Sequence, residues 1–336
     1  MNYSEEGLYR SIEVGGLKLN HRLVRVPGFY GKHPRCEKNT MEEPGSLVIA
    51  GGILPQWYDD DDNDNASIDE DQRHYGYSAR QIHMWKRSCR QIHASGSYVF
   101  VQLFNIDRLD EHEFLETHNG KGLMDNFANS LTREEIRLYV KAYVRAAKAS
   151  LTVGADGVEL HGAAGYLLEG FLDPKVNKRT DEYGGSSANR AKFILEIVDA
   201  VVNAVGASRV GIRLSPSEEH ISLVAQYSYL LGQLERRAVF GKRLAYVHLE
   251  DSCAVISEVD QVKHFGSSHR FVYSIWRGIV IRGHSELSDE LRECNRTLVA
   301  HAKRPGRDRY SKSSPNFDSP TPLEYSKRTQ CASTGY

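Results

Sequence analysis

The alternation of short apolar runs with amphipathic stretches constrains this chain more than any other feature. Eight runs read as strands: Leu23 to Val26, Ser46 to Gly52, Tyr98 to Phe104, Gly157 to Gly162, Arg209 to Pro216, Leu244 to Asp251, Ile279 to Gly283 and Arg296 to Ala302. Most are separated by stretches with helical spacing, among them Ser78 to His93, Thr132 to Thr152, Ala191 to Val205 and Ser222 to Arg237. Strands alternating with helices pair in parallel, and eight such units point to a closed (β/α)8 TIM barrel rather than an open doubly wound sheet. No hairpin signal is read along the chain, and no GxGxxG follows the first strand, so a Rossmann fold is not expected. The expected organisation is a single barrel domain over residues 1–302 with its last β/α unit incomplete, the final helix being lost. Residues 303–336, rich in Pro, Ser and charge, are expected to be an irregular, disordered tail.

Composition excludes several partners. Of 336 residues, 40% are hydrophobic, and 43 basic residues face 44 acidic ones for a net charge of −1. That balance argues against nucleic acid or an anionic membrane as partner. The five cysteines, at 36, 89, 253, 294 and 331, show no CxxC spacing and read as reduced thiols of a cytoplasmic protein. The N-terminus lacks a signal-peptide layout, and no window approaches the roughly 20 apolar residues of a membrane span. The acidic run from Asp59 to Asn65 has no interleaved glycine and reads as a solvated loop; no metal is expected. The sequence leaves the oligomeric state open, a dimer included.

In an α/β barrel the reactive groups sit at the C-terminal ends of the strands and on the loops that follow. The stretch GVELHGAAGYLLEGFLDPKVNKRTDEYGGSSANR, Gly157 to Arg190, supplies such a loop. It carries His161 and Tyr166, read from the residues alone as a hydrogen-bonded strand-end histidine and a packing aromatic. Gln102, near the end of its strand, is either paired to backbone or faces a ligand. Arg213, inside a buried strand, needs a partner, either a structural carboxylate or an anionic ligand. Arg179, Asp181 and Tyr183 are expected to brace the loop, and Thr132 with Glu135 has capping-box spacing at the start of a helix.

The run H-G-A-A-G-Y-L-L-E-G-F-L-D-P-K-V-N-K-R-T-D-E-Y-G-G-S-S-A-N-R, followed by VGIRLSP, LAYVHLED and FVYSIWRGIVIRG, closely resembles the Old Yellow Enzyme family, especially its yeast NADPH dehydrogenases. The resemblance is strong from about Ser130 to Leu249 and weak in the first ninety residues and after Ala300. It implies an FMN-containing barrel that takes hydride from NADPH and passes it to an activated alkene, such as an enone, or to a quinone-like acceptor. Carried over residue by residue, Gln102 would bond the pyrimidine edge of the flavin. Arg213 would sit by N1 and the C2 carbonyl, where fixed positive charge stabilises the reduced form. His161 would donate to the substrate carbonyl and Tyr166 would protonate the carbon opposite the hydride, a role that suits a phenol. Gly28, Gly52, Gly283 and Lys303 are the remaining cofactor positions that the resemblance implies.

Several positions depart from the family. A second donor expected three residues after His161 is replaced by Ala164. Loss of one preorganised donor can cost about 3 kcal/mol of transition-state stabilisation, so a slow reductase is expected. The threonine or cysteine that meets the flavin O4 is replaced by Pro27, Gly28 and Phe29, and a phosphate-binding G-Y-G-R run by Ala300, His301, Ala302 and Lys303. The lysine keeps the charge but loses the bidentate fork. The alternative to an active reductase is therefore a catalytically impaired member that serves as a flavin- or ligand-binding protein.

Overall fold

The computed structural model describes residues 8–26, 44–53, 79–104, 128–163, 165–216, 221–250, 269–283 and 297–301. Two three-residue antiparallel strands come first, β1 (Ile12–Val14) and β2 (Leu17–Leu19). Between them Gly15 and Gly16 have φ of 58° and 83°. A two-residue turn with positive φ at both positions matches the twist of its strands and favours glycine. The Gly-Gly pair is thus a hairpin signal, and the expectation that none exists is corrected. Strands of three residues are too short to show an alternating pattern.

The eight expected strands all form and close a parallel barrel in chain order. They are β3 (Leu23–Arg25), β4 (Leu47–Ile53), β5 (Tyr98–Leu103), β6 (Gly157–Gly162), β7 (Val210–Leu214), β8 (Tyr246–Leu249), β9 (Val280–Gly283) and β10 (Thr297–His301). The ring shuts where β10 pairs with β3, Val299 opposite Leu23. Val24, Leu47, Ile49, Phe100, Tyr246, Ile281, Leu298 and Ala300 pack together as the interior, and Val14, Leu19 and Ala245 join them from the hairpin end. Each large side chain so buried contributes roughly 1.5–3 kcal/mol. Glycine makes room for the two rings: a Cβ on Gly157 would lie 2.5 Å from Phe100, and one on Gly211 2.3 Å from Tyr246. The rings meet with centroids 5.5 Å apart.

Helices cover the outside. They are α1 (Ala79–Ala94), α2 (Arg133–Thr152), α3 (Leu167–Leu172), α4 (Ser187–Val205), α5 (Ile221–Val239) and α6 (Arg270–Ile275). The capping box opens α2 as expected: Thr132 accepts from the Glu135 amide at 3.2 Å, and the Glu135 carboxylate accepts from the Thr132 amide at 2.8 Å. The helix expected from Ala191 begins four residues earlier, because Ser186 caps it by accepting from the Asn189 amide. Its first turn, Ser-Ala-Asn-Arg, is polar and so hidden from a search for apolar spacing. The short helix α3 lies in a stretch expected to be loop, and α6 in one where no helix was expected. The tail and the part of the last β/α unit beyond β10 fall outside the described residues. Among the described residues no helix is long and apolar enough to cross a membrane.

Candidate active site

A polar layer stands directly above the two interior rings, on one side of the barrel. Strand side chains alternate faces, so the residue two beyond each interior group shares its face. Beyond Phe100 comes Gln102; beyond Gly157, Glu159 and then His161; beyond Gly211, Arg213; beyond Tyr246, His248 and then Glu250. Parallel register puts Gln102 beside Glu159, His161 beside Arg213, and Arg213 beside His248. The opposite side offers Ile49 and Ala300 instead.

Glu159 is fully buried and organises the lower row. Gln102 Nε2 donates to its Oε1 at 2.7 Å, and His248 Nδ1 donates to its Oε2 at 2.9 Å. Burial pushes the Glu159 pKa up, but His248, Arg213 and Gln102 together outweigh it and hold the carboxyl below its ordinary range. The anion fixes the Gln102 amide, since a carboxylate can take a hydrogen bond only from the nitrogen. Gln102 is therefore held by a side chain rather than by backbone.

Arg213 has the structural carboxylate that one of its two alternatives required. Its Nη2 pairs with Glu250 Oε1 at 3.0 Å, the side chains being 10% and 8% exposed. Arg213 Nε and Glu250 Oε2 are buried without a hydrogen-bond partner. Such atoms are rare in native interiors and call for an account.

His161 and Tyr166 come together above this row. Their rings lie 4.8 Å apart edge to face, and Phe104 stands 5.7 Å from Tyr166. The Ala163 amide donates to His161 Nδ1 at 3.2 Å, which leaves the proton on Nε2. Burial, and then the charge of Arg213, drive the His161 pKa down to about 3, so the ring is a neutral Nε2–H donor at physiological pH. Burial, and then the charge of Glu250, raise the Tyr166 pKa, which keeps the phenol protonated. Tyr166 is the N-cap residue of α3. The turn before it is tied down by Glu169, which accepts from the Gly165 amide, from Ser215 Oγ, and from the Tyr227 hydroxyl at 3.1 Å.

The brace expected over Arg179 to Tyr183 is present. Arg179 Nε and Nη2 donate to the two Asp181 oxygens at 3.0 and 2.6 Å, and its Nη1 donates to the carbonyls of Ala128 and Leu131 at 2.8 and 2.7 Å. Asn177 Nδ2 ties the carbonyls of Phe171 and Tyr183 at 2.8 Å each. Tyr183 donates to Glu196 at 3.1 Å.

Of the other sequence-derived positions, Gly52 lies in β4 beside a register irregularity between Ala50 and Ile53, and Gly283 ends β9 opposite Ala300. Gly28, Lys303 and Ala164 lie outside the described residues. The sequence reading missed Glu159, His248, Glu250 and Glu169. A charge inside the fully buried run GVELHG is the one signal that could have exposed Glu159. A further mouth contact was also missed: His269 Nε2 donates to the Pro216 carbonyl at 2.7 Å while its Nδ1 accepts from Arg282 at 3.1 Å.

The described residues fit an FMN. The unpartnered Arg213 Nε–H is a buried cation donor at a strand end, which an electron-rich carbonyl and ring nitrogen would satisfy. Gln102, oriented by Glu159, supplies an amide one strand removed from it.

The chain is similar to known flavin oxidoreductases. The family described as NADH:flavin oxidoreductase / NADH oxidase matches residues 7–304. Enoate reductase 1 of Kluyveromyces lactis is 35% identical over 319 residues, covering 83% of this chain and 78% of its own. A probable NADPH dehydrogenase of Candida albicans is 35% identical over 309 residues, covering 82% and 74%. The crystal structure of Old Yellow Enzyme from Pichia sp. AKU4542 superposes with a TM-score of 0.67 at 29% identity, covering 89% of this chain and 83% of that one. With a flavin-compatible polar layer at the mouth of an eight-stranded parallel barrel, the chain belongs to the NADH:flavin oxidoreductase family and is an Old Yellow Enzyme-type oxidoreductase.

Proposed function

We propose that the protein is an NADPH-dependent reductase of activated alkenes, taking enones or quinone-like compounds as substrates. FMN, when bound, supplies the hydride chemistry, accepting from NADPH and giving to the substrate. Gln102 and Arg213 would hold its pyrimidine edge, where the Arg213 charge would favour the reduced form. Gly28, Gly52, Gly283 and Lys303 are the proposed backbone and phosphate contacts.

His161 binds the substrate carbonyl through Nε2–H and draws electron density from the alkene. Its neutral form suits this task, because an imidazolium beside Arg213 would need two buried cations side by side. Tyr166 delivers the proton to the carbon that does not receive hydride. The phenol is pressed against the His161 ring, so a carbonyl held by one brings its alkene to the other.

The observation that carries this reading is the His161 ring, held by the Ala163 amide at Nδ1, packed edge to face on Tyr166 and opposite Arg213 in register, whose buried Nε has no partner. Single-turnover kinetics test it. Flavin pre-reduced by NADPH without oxygen is expected to be reoxidised by 2-cyclohexenone, and about 10²–10⁴-fold more slowly in Tyr166→Phe. Flavin that binds but is not reoxidised by any enone in the native protein would favour the alternative of a ligand-binding member with impaired chemistry.

A further inference from the structure

We propose that Glu250 is a buried counter-charge that divides the charge of Arg213 with the flavin, and so sets the reduction potential of the bound cofactor. The inference rests on the placement of Arg213 at the flavin edge proposed above.

Arg213 and Glu250 leave different strands, the one inside β7 and the other just past β8, yet they meet at 3.0 Å under the mouth. Only one oxygen and one guanidinium nitrogen carry that contact, and Glu250 Oε2 and Arg213 Nε remain buried and unpartnered. A pair built for stability is expected to close both ends, because each buried unsatisfied polar atom costs free energy. This pair is half open on both sides. The Arg213 charge already faces Glu159 from β6, the anion that also holds Gln102 and His248. A second carboxylate is therefore not needed to neutralise the arginine.

The consequence lies in electrostatics. Reduction of a flavin gathers negative charge near N1 and C2, and a nearby cation favours the reduced state. In a buried site two opposite charges in contact act at a distance as a dipole, so Glu250 weakens the cation that the flavin senses. It also bears on Tyr166, where its charge adds to burial in keeping the phenol protonated. One carboxylate thus makes the reduced flavin a stronger hydride donor and retains the proton that completes the reaction.

Glu250→Gln keeps the size and polarity of the side chain but removes the charge paired with Arg213. Glu250→Met, of similar volume, is the second variant and removes the polarity as well. The midpoint potential of bound FMN is read by equilibrium titration against a reference dye, and the dissociation constants of oxidised FMN from the apoproteins by fluorescence. In Glu250→Gln the affinity for reduced relative to oxidised FMN is expected to rise about tenfold, which for two electrons is about 30 mV. Glu250→Met is expected to shift in the same direction. A potential unchanged in both flavin-loaded variants overturns the proposal, as does a fall. Loss of flavin from both variants also overturns it, since Glu250 would then hold the cofactor rather than tune it. If the native protein binds no FMN, the proposed function itself has failed, an outcome distinct from an unmoved potential.

Discussion

Two arginine–carboxylate pairs, one half-buried and one buried, sit within the same half of the barrel and are built differently. Arg179 uses all three guanidinium nitrogens, with two bonds to Asp181 and two to backbone carbonyls. Arg213 makes one contact with Glu250 and keeps a buried donor in reserve. The first pair closes a loop onto the strand-end region; the second faces the mouth. A closed pair fixes geometry, and an open pair leaves polar capacity for a ligand.

That contrast is sharpened by substitutions that separate chemistry from stability. The largest expected effect is at the mouth. Arg213→Met should weaken FMN binding by on the order of 100-fold, about 2.8 kcal/mol, as expected for loss of one charge-assisted contact. Equilibrium binding followed by flavin fluorescence checks it. Arg179→Met should leave FMN affinity within about threefold of native but lower unfolding free energy by about 3 kcal/mol, measured in urea, because two carbonyls and a carboxylate lose their donor. If both substitutions lowered stability alike and neither touched flavin, the distinction between the pairs would collapse.

The interior below gives a control of intermediate size. Gly211→Ala forces a methyl group into the Tyr246 ring and should cost about 1–3 kcal/mol by overpacking. By contrast the exposed pair Arg133–Glu182, at 2.7 Å, should matter least: Glu182→Gln is expected to change stability by less than about 1 kcal/mol.

The two regions should also differ in pH response. His161 has a folded-state pKa lowered to about 3 by burial and then Arg213, against 6.5 for the free side chain. The unfolded chain therefore binds more protons between those values, and stability falls as the pH drops from about 6.5 toward 3. His161→Gln should flatten that slope in urea titrations at pH 7, 6 and 5. Asp181 is held low chiefly by its hydrogen bonds from Arg179. Its contribution is present above the unfolded value near 3.9 and is lost only as the pH falls below it, through the folded value. Arg179→Met should therefore leave the slope between pH 7 and 5 unchanged.

Much of the fold was legible in the sequence because each barrel strand is a dense apolar run stopped by a polar or glycine-rich loop, and all eight runs formed strands. The capping box and the Arg179 brace were legible for the same reason, since their partners lie within a few residues. The β1–β2 hairpin was missed because its strands are only three residues long.

The network at the mouth was hidden for a different reason. Gln102 and Glu159 lie 57 positions apart, and Glu159 and His248 lie 89 apart. Periodicity assigns a residue to a face, but only register decides which charge it meets. The sequence therefore pointed to Gln102, His161, Tyr166 and Arg213 through resemblance and passed over Glu159, Glu250 and Glu169. Glu159 holds Gln102, Glu250 balances Arg213, and Glu169 ties down the turn before Tyr166.

The central claim is that the open mouth pair belongs to a flavin that NADPH reduces. The visible spectrum of the purified protein incubated with FMN, then treated with NADPH without oxygen, tests it most directly. Bound oxidised flavin should remain after gel filtration as a yellow protein, bleach with NADPH and regain colour with a cyclic enone. A protein that elutes colourless after incubation with FMN contradicts the account.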